Sequence, residues 1–296
     1  MKRVIVFGGS GFIGSHLIGE FISKNYVVIN FDLWDYYADQ NIENYIYYQG
    51  NILNNDNLYK NFWYPDIDII VNLIALSSIS ECNEKPVAAF QQNVNSNIRI
   101  LQFIESNFKD TAKPLYIYSS SLYSQSNKSG AYGLSKKHSE DWIKYFANKY
   151  CIPYLILRYG TVYGSGAQEE NSIRKIIEYA LKAKVISYYG TGEETRNYIH
   201  VKDVAKNTLE IINKLFRNRT INIMGNESIK SVDLINLIKD ILGEEYKVKF
   251  GKGHHPDHYI ISPYFYNKEL VTTYISEECI DLGIGLLEVI KELDNV

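Results

Sequence analysis

Tyr132-Gly-Leu-Ser-Lys136 is the stretch of this chain whose residue types and spacing can do chemistry. On a helix, residues four apart share a face, so the phenol and the ammonium are neighbours. A free tyrosine, with a pKa near ~10, is only about 0.1% ionised at pH 7, and making it a base means lowering that value by about 3 units, or roughly 4 kcal/mol. One ammonium at about 4 Å in an effective dielectric near 20 supplies about that much. Lys136 can therefore turn Tyr132 into a general base. Upstream stand Ser119, Ser120 and Ser121, at the end of an apolar run. Either Ser119 or Ser120 can hydrogen-bond a substrate oxygen whose proton moves. Taken alone, the same spacing also describes a surface tyrosine beside a solvated lysine, so the choice depends on what else the chain builds.

The N-terminus builds an anion site. Val4, Ile5, Val6 and Phe7 are four consecutive apolar residues, as expected of a parallel strand buried on both faces, and they run into Gly8, Gly11 and Gly14. Gly8 can turn sharply, Gly11 lets a diphosphate approach the backbone, and Gly14 lets the following helix pack close to the strand. The free N–H groups of that helix then aim at the anion. A second apolar strand, Val27 to Asp32, ends in a carboxylate about twenty residues further on, where it can accept both hydrogen bonds of an adenosine ribose diol. A dinucleotide follows from strand, turn, helix and acid together. Asp32 would repel a 2′-phosphate, and Leu33 and Trp34 follow it where a cation would be needed, so NAD is favoured over NADP.

The elements that must position these groups alternate. Tyr45–Asn51, a short strand ending in a turn, Asp68–Ala75, Leu115–Tyr118 and Pro153–Tyr159 read as further strands, with helices from about Asn54, from Pro86 to Phe108 and from Tyr132 to Tyr150. This is the pattern of an α/β doubly wound parallel sheet. Beyond Gly160 it breaks into loops around an amphipathic helix (Ile173, Ile176, Ile177, Leu181), then returns as helix 201–216, a strand at Ile221–Met224 that can rejoin the sheet, and helices from Val232 and near Leu286. The expected division is a dinucleotide-binding domain at 1–164, rejoined by 197–224, with 165–196 and 225–296 as a smaller mixed cap over the crevice. In such sheets ligands sit beyond the carboxyl ends of the strands.

Thirty-one basic and 34 acidic residues give a formal charge of −3, which leaves no electrostatic footprint for nucleic acid or an anionic membrane. No run approaches the roughly 18 apolar residues of a membrane span, and the N-terminal apolar run is a strand rather than a signal peptide. Cys82, Cys151 and Cys279 are scattered, fit reduced and buried thiols in a cytoplasmic protein, and offer no metal cluster.

These motifs, with Asn93-Val94, Leu157-Arg-Tyr-Gly-Thr-Val-Tyr-Gly164 and Tyr189-Gly-Thr-Gly-Glu-Glu-Thr-Arg-Asn-Tyr-Ile-His-Val-Lys-Asp203, resemble the NAD-dependent epimerase/dehydratase family, extended short-chain dehydrogenases acting on nucleotide sugars. The resemblance runs to about Asn226 and then thins. It implies a Rossmann-type sheet with a C-terminal substrate-binding cap. By resemblance, NAD meets Gly8, Ser10, Gly11, Phe12, Ile13, Gly14, Asp32, Asn51, Ile52, Leu73, Ala75, Asn93, Tyr132, Lys136 and Tyr159. Ser78, Thr161, Asn171, Arg196 and His255 would meet a nucleoside-diphosphate sugar, Arg196 as a diphosphate clamp. Asn51 could equally be a turn residue, and His254-His255 a solvated loop. Tyr132 would remove a hydroxyl proton while hydride passes to NAD from C4.

Family members that eliminate water carry an acid after the fifth strand, where this chain has Ser120-Ser121. Thr161 replaces a frequent Asn, and His254-His-Pro-Asp257 replaces an Arg-Pro-x-Asp. The expected activity is a 4-epimerase or C4 dehydrogenase. A 4,6-dehydratase, a ketosugar reductase and a non-catalytic NAD-binding protein are the alternatives. The resemblance also implies a homodimer formed by the two long helices, with Phe103, Ile104 and Trp142 as candidate contacts, burial within the monomer being the competing account for each.

Overall fold

The computed structural model describes residues 1–54, 66–109, 111–126, 129–226, 228–251, 253, 260 and 271–294. The helix expected from Asn54 and the segment His254–Asp257 lie outside the described residues. Strand β1 (Arg3–Phe7) leads through the glycine turn into α1 (Phe12–Ser23), followed by β2 (Val27–Asp32), β3 (Tyr45–Gln49) and β4 (Ile69–Asn72). A short α2 (Ile79–Glu84) precedes α3 (Pro86–Phe90), one π turn (Gln91–Asn95) and α4 (Ser96–Asn107). The single long helix expected from Pro86 thus carries a bulge at its centre. Then come β5 (Leu115–Ser121), a 3₁₀ turn (Leu122–Gln125), α5 (Gly130–Tyr150) and β6 (Tyr154–Tyr159).

The second half holds β7 (Thr161–Tyr163), α6 (Ser172–Ala183), β8 (Val185–Tyr188), β9 (Thr195–Arg196), β10 (Tyr198–His200) and α7 (Val201–Asn213). It continues with β11 (Arg219–Ile223), β12 (Ile229–Lys230), α8 (Ser231–Leu242), β13 (Lys247–Phe250), β14 (Thr272–Tyr274) and α9 (Leu282–Asp294).

Eight strands form one sheet in the order β14-β11-β6-β5-β4-β1-β2-β3, every neighbouring pair parallel. β1 lies between β2 and β4, with Val6 opposite Asn30 on one side and Val71 on the other. The chain therefore reverses its direction of travel across the sheet beside β1, and the crevice opens at that switch point. Because β1 is buried on both faces, two cores form. Leu17, Ile18 and Phe21 of α1 and Val204, Leu209 and Ile212 of α7 fill one face, while Ile100, Leu101 and Ile104 of α4 and Ile143 and Phe146 of α5 fill the other. Each such side chain contributes about 1.5–3 kcal/mol by leaving water.

Strand β11 rejoins the sheet beside β6, as its apolar run suggested. β14 adds to β11, so the stretch 225–296 does not lie wholly in the cap. The cap has its own core, where Ile173 and Ile177 of α6, Leu234 and Ile238 of α8, and Leu286 and Ile290 of α9 surround Tyr163. Phe103 and Ile104 are 1% and 0% exposed and belong to the main core, which corrects their reading as outward contacts; Trp142 is 40% exposed. Among the cysteines Cys82 is buried but Cys151 is exposed, against the expectation of three buried thiols.

Candidate functional site

The glycine turn is shaped by close approach. Gly8 has φ +80°, and a Cβ there would lie 2.9 Å from the Ile74 nitrogen. At Gly14 a Cβ would sit 2.6 Å from the carbonyls of Gly8 and Gly9, so α1 could not start where it does. Gly11 differs: a Cβ would meet only the Gly8 carbonyl, at 3.4 Å, and the residue lines an open cleft as the N-cap of α1. A backbone cradle beneath free helix N–H groups is what a diphosphate requires.

Asp32 closes the cradle from the end of β2. Its carboxylate accepts the Ser10 amide at 2.9 Å and the Leu33 amide at 2.7 Å. Burial raises its pKa, and those two bonds pull the other way. A carboxylate has about four lone-pair sites, so capacity remains for a ribose diol. The Ser10 hydroxyl is committed elsewhere, donating to the Trp34 carbonyl at 2.6 Å and accepting from Asn30 at 2.9 Å and the Tyr36 amide at 3.2 Å. It ties the aromatic loop after Asp32 down to the glycine turn. The residues present thus fit a dinucleotide.

The cleft holds about 720 Å³ and runs from this turn to the cap. Phe12, Ile13, Leu73, Ala75 and Tyr159 line it beside the glycines, and Ser78, Thr161, Asn171 and Arg196 line the far end. Several have structural duties as well. Ser78 caps α2 and Asn171 caps α6, while the Tyr159 hydroxyl pairs with Thr208 at 3.0 Å. Arg196 is 7% exposed and donates to the Thr195 carbonyl at 2.9 Å.

Five expected cofactor residues are not among those lining the cleft: Ser10 and Asp32, which bond each other beside the glycine turn, and Asn51, Ile52 and Asn93. Asn51 accepts the Leu53 amide at 2.9 Å, the turn reading of that residue. Ile52 is buried in the main core. Asn93, inside the π turn, is fully buried and bonds the Leu76 amide, the Leu76 carbonyl and the Ser135 hydroxyl at 2.7, 3.1 and 2.8 Å. It braces the loop after β4 against α5, close to Lys136. His255 lies outside the described residues.

Tyr132 and Lys136 both face the cleft from the first turns of α5. Lys136 is 2% exposed, its Nζ donates to the Ser119 carbonyl at 2.8 Å, and it stands 5.9 Å from the centre of the Tyr132 ring. Burial is the main force on this ammonium and lowers its pKa to about 8. The two candidate serines differ. Ser120 donates to Glu140 at 2.5 Å, whereas the Ser119 hydroxyl lines the cleft with no hydrogen bond among the described residues. Glu140 also accepts Ser124 at 2.9 Å and is gripped by Arg158 at 2.9 and 2.6 Å.

The sequence reading overlooked this ion pair. Its signal was present: an arginine inside the apolar run of β6 needs a buried partner, and Glu140 lies four residues beyond Lys136 on the same helix face. Asn83 was overlooked as well. It accepts the Ala131 amide at 2.8 Å and so caps α5, which has no side-chain cap of its own.

A sequence profile of the NAD dependent epimerase/dehydratase family matches residues 4–223. A putative UDP-glucose 4-epimerase of Methanocaldococcus jannaschii is 29% identical over 255 residues, 81% of this chain and 82% of that protein. The human dTDP-D-glucose 4,6-dehydratase is 27% identical over 268 residues, covering 82% and 76% of the two chains. Among solved structures, a UDP-glucuronic acid 4-epimerase from Bacillus cereus, in complex with UDP-glucuronic acid and NAD, superposes with a TM-score of 0.82 at 22% identity, over 99% of each chain. A UDP-N-acetylglucosamine 4-epimerase from Methanobrevibacter ruminantium M1 also gives 0.82, at 24% identity, over 99% and 98%. With one profile spanning the glycine turn, the Tyr132 helix and the strand that rejoins the sheet, this chain belongs to the NAD-dependent epimerase/dehydratase family of enzymes.

Proposed function

We propose that the protein binds NAD and a nucleoside-diphosphate sugar, oxidises the sugar at C4 and restores it with inverted configuration, as a 4-epimerase. The observation that carries this reading is the placement of Tyr132, buried Lys136 and the uncommitted Ser119 hydroxyl on one cleft that begins at the glycine turn. Tyr132 removes the proton of the C4 hydroxyl, and Lys136 favours the phenolate that accepts it. Ser119 holds the same oxygen in line; Ser120 is spent on Glu140. NAD, when bound, supplies the acceptor for the C4 hydride. Asp32 takes the ribose diol and the N-terminus of α1 the diphosphate of NAD. Arg196 supplies the fork for the diphosphate of the sugar nucleotide.

In this division of labour, 1–164 and 197–224 carry the cofactor, and 165–196 with much of 225–296 closes over the sugar nucleotide. The 4,6-dehydratase relatives keep elimination in view as a second reading. Against it stands the chemistry of the loop: Ser120 and Ser121 cannot protonate a leaving hydroxide as an acid does. Of the acids lining the described cleft, Glu170 and Glu194 lie toward the cap, and Glu194 is occupied by the Thr191 and Gly192 amides at 3.0 and 2.9 Å. The chain pairs as a homodimer through α5, where Leu134, Trp142 and Tyr145 are exposed.

The test is product identity by NMR after incubation with NAD and UDP-glucose, UDP-glucuronic acid or UDP-N-acetylglucosamine. A C4 epimer is expected. A 4-keto-6-deoxy sugar would mean elimination, and no conversion of any of the three would refute the substrates named.

A further inference from the structure

The ion pair between Glu140 and Arg158 lies one helical turn beyond Lys136 and, among the described residues, touches none of the groups assigned to the chemistry except through Ser120. Its side chains are 3% and 5% exposed, and it joins α5 to β6. Ser120 at the end of β5 and Ser124 in the 3₁₀ turn donate to the same carboxylate oxygen, at 2.5 and 2.9 Å. Four consecutive pieces of the chain are therefore knotted at one carboxylate, one helical turn from Lys136. A buried ion pair is weak support for stability, since well-packed apolar residues often do as well or better. A pair held at that cost beside the reacting groups calls for a role in the site.

The groups facing Lys136 can be named from each element around it. Tyr118 of β5 places its ring 5.0 Å from Nζ, and burial pushes that phenol well above its ordinary pKa. Cys82 of α2 is buried, with its thiol pushed up to about 11, and is neutral. Tyr132 lies on the same helix, with Tyr123 of the turn edge-on to it at 6.0 Å. Glu140 follows on α5, and Arg158 reaches it from β6. The charged members of this buried group are thus Lys136, Glu140 and Arg158. With Glu140 ionised the sum is +1, which one phenolate at Tyr132 matches. Without it the sum would be +2 in a desolvated chamber, and the cheapest relief is loss of the proton of Lys136.

We infer that Glu140 is a positioning residue of this site: its carboxylate engages the hydroxyls of Ser120 and Ser124, leaving that of Ser119 to meet the substrate, and cancels Arg158 so that Lys136 keeps its proton. The first half rests on the base assignment proposed above. The second is a statement about charge alone and can be tested without substrate or cofactor.

The experiment is an NMR titration of the full chain labelled at the lysine ε-carbon, with the Lys136 signal assigned by its loss in Lys136→Met. Glu140→Gln should lower the pH at which Lys136 titrates by about one unit, because the carboxylate one helical turn away favours the ammonium, and Arg158→Gln, which leaves that carboxylate uncancelled, should raise it by about one unit. Opposite signs from two variants that break the same ion pair cannot come from loosened packing, which would move both the same way. Unchanged titration in both, or shifts of one sign, would overturn the inference. If Glu140→Gln does not fold, Arg158→Gln is compared with Arg158→Lys, which keeps the charge: a rise only where the charge is lost supports the inference, and no rise, or an equal rise in both, refutes it.

Discussion

Replacing Lys136 with methionine should make the protein more stable at neutral pH while ending its activity. The lysine is protonated in the unfolded chain up to about pH 10.5 but gives up its proton near pH 8 when folded, because burial disfavours the charge. Between those pH values the unfolded chain binds more protons, so the stability of the native protein rises with pH. That gap corresponds to about 3 kcal/mol of destabilisation below pH 8. Methionine keeps the stem and removes the charge, and with it the 2.8 Å bond to the Ser119 carbonyl, a loss of about 1 kcal/mol. The net gain is about 2 kcal/mol at pH 7, fading to nothing near pH 10 as the wild-type lysine becomes neutral. Urea unfolding of both proteins at pH 7 and pH 10 measures it. A variant less stable than wild type at pH 7, or an advantage that does not change with pH, would refute the reasoning.

Three further outcomes follow from the site. Asp32→Ala should weaken NAD binding and narrow its preference over NADP, through lost bonds to the diol and relief of repulsion toward a 2′-phosphate; isothermal titration with both dinucleotides would show it, and an unchanged preference would place the selector elsewhere. If the ammonium is required, kcat/KM should fall about tenfold between pH 7 and pH 9 as Lys136 deprotonates through about 8. Light scattering at micromolar concentration should give a dimer mass that Trp142→Glu reduces to the monomer, and a monomeric wild type would remove that proposal.

What was legible in the sequence was local. Gly8, Gly11, Gly14 and Asp32 declare themselves because a tight turn, a close helix and a carboxylate that takes the Ser10 amide from the end of the next strand impose residue types at fixed spacing. Tyr132 and Lys136 share a helix face for the same reason. The doubly wound order followed from alternating apolar runs, and β11 from one such run returning late. What was hidden depends on partners far apart in the chain.

Ser120 looked equivalent to Ser119 until Glu140, twenty residues on, claimed its hydroxyl. Asn93 carries a motif position, yet its amide braces Leu76 against Ser135 instead of facing the cleft. Phe103 and Ile104 sit on a helix whose apolar residues serve the sheet, and periodicity alone cannot say which face has a second partner. The cap escaped for a different reason. Its pairs, β8 with β13 and β9 with β12, are two to four residues long and leave almost no pattern.

The central claim is that Tyr132 takes the proton when the sugar is oxidised. It is tested most directly by following the absorbance of enzyme-bound reduced cofactor during a single turnover, with the nucleotide sugar that proves to be converted, in wild type and in Tyr132→Phe. Phenylalanine keeps the ring against Tyr123 and leaves the glycine turn untouched, so NAD binding should be retained. A positioned base is worth typically ~10²–10⁴-fold, and the loss should fall on the rate of reduction rather than on KM. Reduction slowed by that factor with normal cofactor affinity is the predicted result. Reduction at the wild-type rate in Tyr132→Phe would contradict the account.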